Sequence, residues 1–520
     1  MKMKQLLETA DRITLRTEQE EITSYHTDRV KCREVEAIIN KTAEGLCVSV
    51  YGEKTPVCHI TLFWHHSFQG EIRILGDHWE RGYGDFEWRG ITPERILPWY
   101  CLVASREETY GFGVKTGPTA FCSWQINQEG ISLNLDLRCG GEGVVLNGRK
   151  LEAAVIVSAM FQGKNVYASA ECFIGLLNDR VLLCEHPVYG SNNWYYAYGN
   201  SSAEEILADT AYLAKLTEGI ENRPYMVIDD GWQQYHHTGY NGGPWRAGNE
   251  RFPDMKGLAA AMKEKGVHPG IWIRLLYDKE SKFSEDMRLQ RNHDFLDPSH
   301  EEVKRLVRED IRRLSEWGYE LIKHDFSTYD LLGCWGFQMG SKLTEDGWHF
   351  YDRTKTTAEV IRDFYAEVLS AAGKSLILGC NCIGHLGAGM MHINRTGDDT
   401  SGREWERTRK MGINTLAFRM PQHKRFFEVD ADCVGITDQI DWYFNSQWLT
   451  LLANSGTPLF VSVKPDSLDK EQEMELKRAY AIASRQDTIA EPLDWMETTC
   501  PSRWNIIGEK QCFHWNEKYI

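Results

Sequence analysis

The stretch "YELIKHDFSTYD", residues 319–330, decides how this chain is read. It opens as a buried strand and then sets Lys323 and Asp325 two residues apart. Side chains alternate between the faces of a strand. Tyr319, Leu321, Lys323 and Asp325 are therefore expected on one side, and Ile322, His324 and Phe326 on the other. Two charges on one face, at the C-terminal end of an apolar strand, have a ready place in a barrel of parallel strands. There the inside of the sheet is packed, and the chemistry collects at the C-terminal strand ends.

Working outward, short apolar runs alternate with amphipathic helices from about residue 186. The strand candidates before the opening stretch are "NNWYYAYG" (192–199), "YMVIDDGW" (225–232) and "HPGIWIRLL" (268–276); its own strand is "YELIKHDF" (319–326). "SLILGCN" (375–381), "MHINRTGDD" (391–399), "FFEVDADCVG" (426–435) and "TPLFVSV" (457–463) follow. Between them lie stretches such as "HEEVKRLVREDIRRLSEWG" with apolar residues at i, i+3, i+4 and i+7. Eight such units over roughly 280 residues predict a central (β/α)8 TIM barrel over 186–465. A doubly wound sheet is the alternative, but no Gly-rich phosphate turn follows any strand. Before it, "GLCVSVYG", "CHITLFWHH", "ISLNLDLRCGG" and "EAAVIVSAMF" are short β-type runs broken by Gly, Asn and Asp. They predict an N-terminal β-sandwich over 1–185. After the barrel, residues 466–520 hold a helix, "DKEQEMELKRAYAIASRQ", and short strands in "RWNIIGE" and "QCFHWNE", a short C-terminal β domain.

The composition bounds the function. The 520 residues exceed one ordinary core, and 42% apolar with 26% charged residues describes a globular protein. The net charge of −16 argues against nucleic acid and anionic lipid as partners. No run of about 18 apolar residues predicts a membrane span, and the N-terminus has no apolar stretch of the signal-peptide kind. The 14 cysteines are scattered, and only Cys380 and Cys382 are close together. They read as reduced thiols of a cytoplasmic protein, with neither a metal site nor a disulfide frame. With 18 Trp and 22 Tyr the chain is rich in flat rings that suit sugar faces, although large cores use the same residues.

Four proposed strand ends carry charge. Besides Lys323 and Asp325 there are Asp229, Asp230 and Trp232, then Trp272 and Arg274, then Arg395, Asp398 and Asp399. Each has a bland reading: an Asp after a strand caps a helix or starts a turn, and an Arg pairs with whichever acid is near. Their convergence is harder to dismiss, because buried charges are costly unless they pair or bind something polar. Glycoside hydrolysis fits. It needs one carboxylate kept ionised, which Lys323 favours for Asp325, and one that donates a proton, which mutual repulsion in the Asp398–Asp399 pair favours.

These residues resemble the family-36 glycoside hydrolases, the melibiase type of α-galactosidase with raffinose-synthase-like relatives. The resemblance covers most of the chain. "GDHWERGYGDFEW" looks like the family's N-terminal β-supersandwich segment. "IDDGWQ" is similar to its DDGW motif, which implies Asp229, Asp230 and Trp232 at the galactose 4- and 6-hydroxyls. "IKHDF" resembles its K-x-D motif, implying Asp325 as nucleophile and Lys323 as a sugar ligand. "CNCIGHLGAG" resembles a Cys-x-x-Gly-Gly turn, implying Cys382 and Gly384 near the sugar, with His385 replacing the second Gly. "RTGDDTSG" implies Asp398 as acid/base. Trp272, Arg274, Arg395 and Asp399 complete the expected binding set, and "WIRLL" departs from the family's acidic W-x-E-P stretch. The resemblance implies no metal or organic cofactor, a small-molecule α-galactoside or oligosaccharide as partner, and a homo-oligomer as in bacterial relatives. The C-terminal domain is shorter than the family's.

The expectation is thus a retaining α-galactosidase. A galactosyl transglycosidase or an α-N-acetylgalactosaminidase is the alternative on the same scaffold. A metal-dependent hydrolase using His236, His237, His324 and Asp325 is weaker, because His324 and Asp325 point opposite ways. A sugar-binding module without catalysis is weaker too, because candidates for both acids are present.

Overall fold

The computed structural model describes residues 6–163, 165–485 and 488–516. The first five residues, on which the expectation about a leader partly bears, and the last four lie outside that range. Two antiparallel sheets come first in the chain. One joins Glu21–Tyr25, Arg12–Thr17, Val57–His65, Gly130–Asp136, Phe121–Ile126 and Leu97–Pro98 in that order. The other joins Arg29–Cys32, Val35–Lys41, Leu46–Tyr51, Lys150–Gln162, Glu108–Val114, Tyr100–Ala104 and Arg73–Gly76. The alternation expected of such strands is visible in Arg12–Thr17, where Ile13, Leu15 and Thr17 are buried and Arg12 and Arg16 exposed. Register keeps the apolar face aligned across strands, Leu15 opposite Ile60 and Leu62 opposite Leu133.

The second half is built on nine parallel strands. They are β1 (Tyr189–Asn192), β2 (Tyr225–Ile228), β3 (His268–Ile273), β4 (Leu321–His324), β5 (Leu376–Gly379), β6 (Ile393–Arg395), β7 (Glu428–Asp430), β8 (Cys433–Ile436) and β9 (Leu459–Val463). Their order across the sheet is β7-β6-β5-β4-β3-β2-β1-β9-β8. The two outermost strands follow each other in the chain with only Ala431 and Asp432 between them, so the sheet is curled. Helices α1 (Ala203–Leu216), α2 (Met255–Glu264), α3 (Glu301–Trp317), α4 (Thr357–Ala371), α5 (Trp442–Asn454) and α6 (Lys470–Ala483) alternate with the strands. Their ends are specified locally. Ser202 caps α1, Thr356 and Glu359 form a capping box on α4, and Gly318, at φ 104°, ends α3 where a Cβ would be strained.

The curl separates two apolar layers. Val227, Leu321, Leu378, Ile393, Cys433 and Phe460 form a cluster on one face of the strands. Their neighbours Ile228, Ile322 and Ile377 pack on the other face with the helices. The alternation expected at the opening stretch therefore holds for Leu321 and Ile322. It fails for Tyr319, because the strand starts only at Leu321. The Tyr319 hydroxyl donates to the Met255 carbonyl at the start of α2 (3.1 Å).

Two further expectations are corrected. Of "NNWYYAYG" only Asn192 lies in a strand. The Asn192 side chain accepts from the Trp194 amide (2.8 Å), and Trp194–Ala197 turn into a short helix. "FFEVDADCVG" is interrupted at Asp432, which sits at φ 71°. Helix α6 packs on β1. Its Tyr480 hydroxyl lies 3.0 Å from Ser191 Oγ. The chain then forms a three-stranded antiparallel sheet of Glu491–Pro492, Arg503–Ile506 and Glu509–Cys512. None of the 14 cysteines is in a disulfide, and no helix among the described residues is long and apolar enough to cross a membrane.

Candidate active site

The inner apolar layer sets the geometry of the site. Two residues beyond Val227, Leu321, Leu378 and Ile393, on the same face, come Asp229, Lys323, Cys380 and Arg395. A charged layer thus lies directly above an apolar one, at the C-terminal strand ends. Lys323 Nζ donates to Asp229 Oδ2 (2.7 Å), which also accepts from Asn192 Nδ2 (2.7 Å). Burial disfavours charge on Lys323, but Asp229 and the other acidic groups near it, Asp325 among them, together outweigh it and hold the ammonium well above its ordinary range. Arg395, fully buried, meets Asp432 (3.0 Å), Asp399 (3.2 Å) and the Cys380 thiol (3.3 Å).

Asp325 follows the end of β4. Its Oδ2 accepts from the Trp272 indole (3.0 Å) and its Oδ1 from the Phe326 amide (2.7 Å). Its own amide donates to the Ile273 carbonyl (3.0 Å). The turn is tight: Phe326 sits at φ 63°, in the left-handed region that costs a side chain roughly 1 kcal/mol or more. The result is a buried carboxylate with both oxygens fixed by neutral donors.

The "DDGW" turn is equally constrained. Gly231 has φ 120°, and a Cβ there would fall 2.5 Å from the Gly199 carbonyl. Burial pushes the Asp230 carboxyl up to about 7. Gln233 Nε2 donates to it (2.7 Å) and His236 lies 3.9 Å away. Trp232 is wholly buried against Trp245, and its indole donates to the Trp272 carbonyl (2.9 Å), so it presents no surface to a ligand. Arg274 grips Asp330 (3.0 Å) and Asn241 (2.6 Å) and lies 4.1 Å over the Phe326 ring. Asp230, Arg274 and Phe326 line a cavity of about 690 Å³ together with Trp194, Tyr198 and Tyr277.

The "RTGDDTSG" stretch separates its two acids. Asp398 has a guanidinium on each oxygen, Arg81 on Oδ1 (2.7 Å) and Arg407 on Oδ2 (2.8 Å). Asp399 pairs with Arg395 through Oδ1. Desolvation works against its charge, but Arg395, Arg81 and Lys323 hold its carboxyl below the ordinary value.

The "CNCIGHLGAG" residues are brought to the site unequally. Cys380, which the sequence reading left out, faces Arg395, whereas Cys382 lies against Ser327 Oγ (3.5 Å) and His324 Nδ1 (3.7 Å) beneath the rim. Gly384 packs against Asn394 and Phe427. His385 stacks on Trp99 with centroids 4.9 Å apart and pairs with the Val114 carbonyl, so it serves the antiparallel sheets. His324 edges the Phe364 ring on the outer face, and burial pushes it down to about 4. It does not join His236 and His237.

The sequence reading missed the contribution of the antiparallel half. Residues 77–86, within "GDHWERGYGDFEW", reach the strand ends. The Gly82 amide donates to the Thr396 carbonyl (2.7 Å), and the Asp398 amide to the Gly82 carbonyl (3.0 Å). Asp77 pairs with Arg419 (2.8 Å), and Glu80 accepts from Asn381 and the Gly336 amide (2.8 Å). The density of charge and aromatics in that stretch was the available signal, but nothing local says which strand end it meets.

The solved α-galactosidase TtGalA of Thermus thermophilus, in complex with p-nitrophenyl α-D-galactopyranoside, superposes with a TM-score of 0.62. It is 16% identical, over 93% of this chain and 98% of that one. The fold is that of the family-36 α-galactosidases. A doubly substituted form of the GH36 α-galactosidase AgaA of Geobacillus stearothermophilus, in complex with stachyose, matches at TM-score 0.58 and 15% identity over 91% of this chain and 67% of its own. The α-galactosidase of Lactobacillus brevis matches at 0.54 and 12%, over 92% and 71%. No family model matches the sequence.

Proposed function

We propose that this protein is a retaining glycoside hydrolase acting on terminal α-galactosides. The observation that carries this reading is Asp325, a buried carboxylate fixed on both oxygens beside the Lys323–Asp229 pair. Asp325 attacks the anomeric carbon. Asp229, Asp230 and Lys323 take the sugar hydroxyls, and Arg274 shapes the cavity. A second carboxyl protonates the leaving oxygen and then deprotonates water. The sequence reading gave that role to Asp398. The two guanidiniums on Asp398 favour Asp399 instead, because a proton relay needs an oxygen that is not already paired with a cation. We read the curled sheet as a (β/α)8 barrel in which β7 and β8 are one interrupted strand. The division is then a sandwich over 1–185, a barrel from 186 that includes α6, and a C-terminal β segment.

The test is a panel of p-nitrophenyl α-glycosides, with the anomer of the first-formed sugar followed by NMR. Release from the α-galactoside with an α-configured first product is expected. No release from any α-glycoside, or a β-configured first product, overturns the reading.

A further inference from the structure

Glu80 reaches the strand ends from the antiparallel half and is only 1% exposed. Both its oxygens are engaged. Oε1 accepts from the Gly336 amide (2.8 Å) and the Tyr83 hydroxyl, and Oε2 from Asn381 Nδ2. Gly336 permits this approach, because a Cβ there would collide with Glu80 Cγ. Burial raises the Glu80 carboxyl above its ordinary value, and Arg81 with the Tyr83 and Gly336 donors opposes the shift. Buried and engaged on both sides, Glu80 does not meet a substrate.

Asn381, just beyond β5, carries the connection onward. Its side-chain Oδ1 accepts from the Tyr329 amide (3.2 Å). Its carbonyl accepts from the Thr328 amide (3.2 Å) and the Ser327 hydroxyl (3.1 Å). These groups open the short helix Ser327–Leu332. The first N–H groups of a helix need partners from outside it, and Phe326, at the cap position, has no side-chain acceptor to give. Asn381 takes that part from another strand end. The residue before the cap is Asp325, whose Oδ1 accepts from the Phe326 amide. Phe326 holds a left-handed conformation that a side chain adopts only where its surroundings enforce it. The enforcing contacts run from Glu80 through Asn381 to the helix start, and from there to Phe326 and Asp325.

We infer that Glu80 is a positioning residue for Asp325, fixing through Asn381 the turn that aims the nucleophile. The inference rests on the glycosidase reading and deepens it. The direction of the hydrogen bonds explains why this position holds a carboxylate. Three donors converge on Glu80, an N–H from Asn381, an N–H from Gly336 and the Tyr83 O–H, and a carboxylate only accepts. An amide of the same shape sets its NH2 against either Asn381 Nδ2 or the Gly336 amide. Asn381 cannot turn over to receive it, since its Oδ1 already accepts from Tyr329. Glu80→Gln therefore breaks the chain of contacts with almost no change of volume. Adding Asn381→Asp restores the chain in reverse. The introduced amide then donates to the introduced carboxylate, whose other oxygen still accepts from Tyr329, and the amide oxygen keeps the Gly336 and Tyr83 donors.

The experiment measures kcat and KM on p-nitrophenyl α-galactoside, and hydrogen exchange in a peptide covering residues 326–329. Wild type, Glu80→Gln, Asn381→Asp and the double variant are compared, each shown to be folded by urea unfolding. In Glu80→Gln, kcat should fall roughly 10- to 100-fold with KM within about threefold, and exchange in that peptide should quicken. Asn381→Asp alone, which sets two carboxylates face to face, should lose kcat in the same way. In the double variant kcat should return to within about threefold of wild type, with protection restored. Glu80→Asp, which keeps the charge but withdraws it from Asn381, replaces Glu80→Gln if that protein does not fold, and the same loss of kcat is expected. Unchanged kcat in a folded Glu80→Gln or Glu80→Asp protein, or a double variant no faster than the single ones, overturns the inference. A wild type inert toward the aryl galactoside defeats the glycosidase reading itself; hydrogen exchange then decides alone, supporting the positioning role if protection is lost in Glu80→Gln and restored in the double variant, and refuting it otherwise.

Discussion

Replacing Asp230 by Asn should stabilise the protein at pH 8 and by less than half as much at pH 5. Asp230 is buried, and its carboxyl is pushed from 3.8 up to about 7. Between those values the folded protein holds a proton that the unfolded chain has released. Stability contributed by this group is therefore full below about pH 4, falls as pH rises, and is lost above 7. The difference between the two carboxyl affinities corresponds to at most about 4 kcal/mol. An amide has the shape of the carboxyl and its oxygen still accepts from Gln233, so Asn escapes the penalty. Urea unfolding of wild type and variant at pH 5 and pH 8 measures it. Other buried carboxyls, such as Asp330 at about 6 and Glu428 at about 7, titrate in both proteins and cancel in the comparison. A gain of about 1–4 kcal/mol at pH 8, shrinking toward pH 5, is expected. The same variant should bind galactose roughly 10- to 150-fold more weakly, having lost a charge-assisted hydrogen bond. If Asp230→Asn is no more stable than wild type at pH 8, Asp230 is not a desolvated acid held for a ligand.

Four other outcomes are expected. Asp325→Asn should fold normally and lose nearly all turnover, even on activated aryl substrates; substantial activity in a pure sample would remove the nucleophile. Asp399→Ala should lose far more activity on alkyl or sugar aglycones than on aryl ones and yield a galactosyl azide when azide is added; if only Asp398→Ala behaves so, the roles exchange. Because cations hold Asp399 below its ordinary value, its protonated form is favoured on the acid side. kcat/KM on poor leaving groups should therefore fall as pH rises through the acidic range, and an optimum above pH 7 would contradict the assignment. Lys323→Met should cost about 3–5 kcal/mol in urea unfolding at neutral pH, since it strands the buried Asp229; a loss below about 1 kcal/mol would mean that water reaches the pair.

Period-two alternation in short apolar runs was enough to place the charged layer. Leu321 and Lys323 lie on the face the pattern assigns them, and Val227 with Asp229 and Ile393 with Arg395 repeat the relation. Alternation carries no information beyond a strand's last residue. That is why "NNWYYAYG" was read as a strand when the Asn192 side chain ends it, and why Asp398 and Asp399 could not be told apart. Both lie past β6, where neighbours distant in sequence decide orientation. The neighbour that matters for Asp398 is Arg81, more than three hundred residues earlier. Its partnership is a product of docking between the two halves, which local patterns do not encode. Cys380 was passed over for Cys382 because the motif was matched by resemblance, although parity with Leu378 already pointed inward.

The docking of residues 77–86 also makes the site depend on the whole seam between the two halves. Asp77–Arg419, Glu80–Asn381 and Arg81–Asp398 join groups that are costly to bury alone. Without the antiparallel half, Arg419 and Asn381 would lack these partners at the strand ends. The contacts that join the two halves are therefore also the contacts that complete the pocket. Damage anywhere along that seam would silence the enzyme without touching a group that meets substrate.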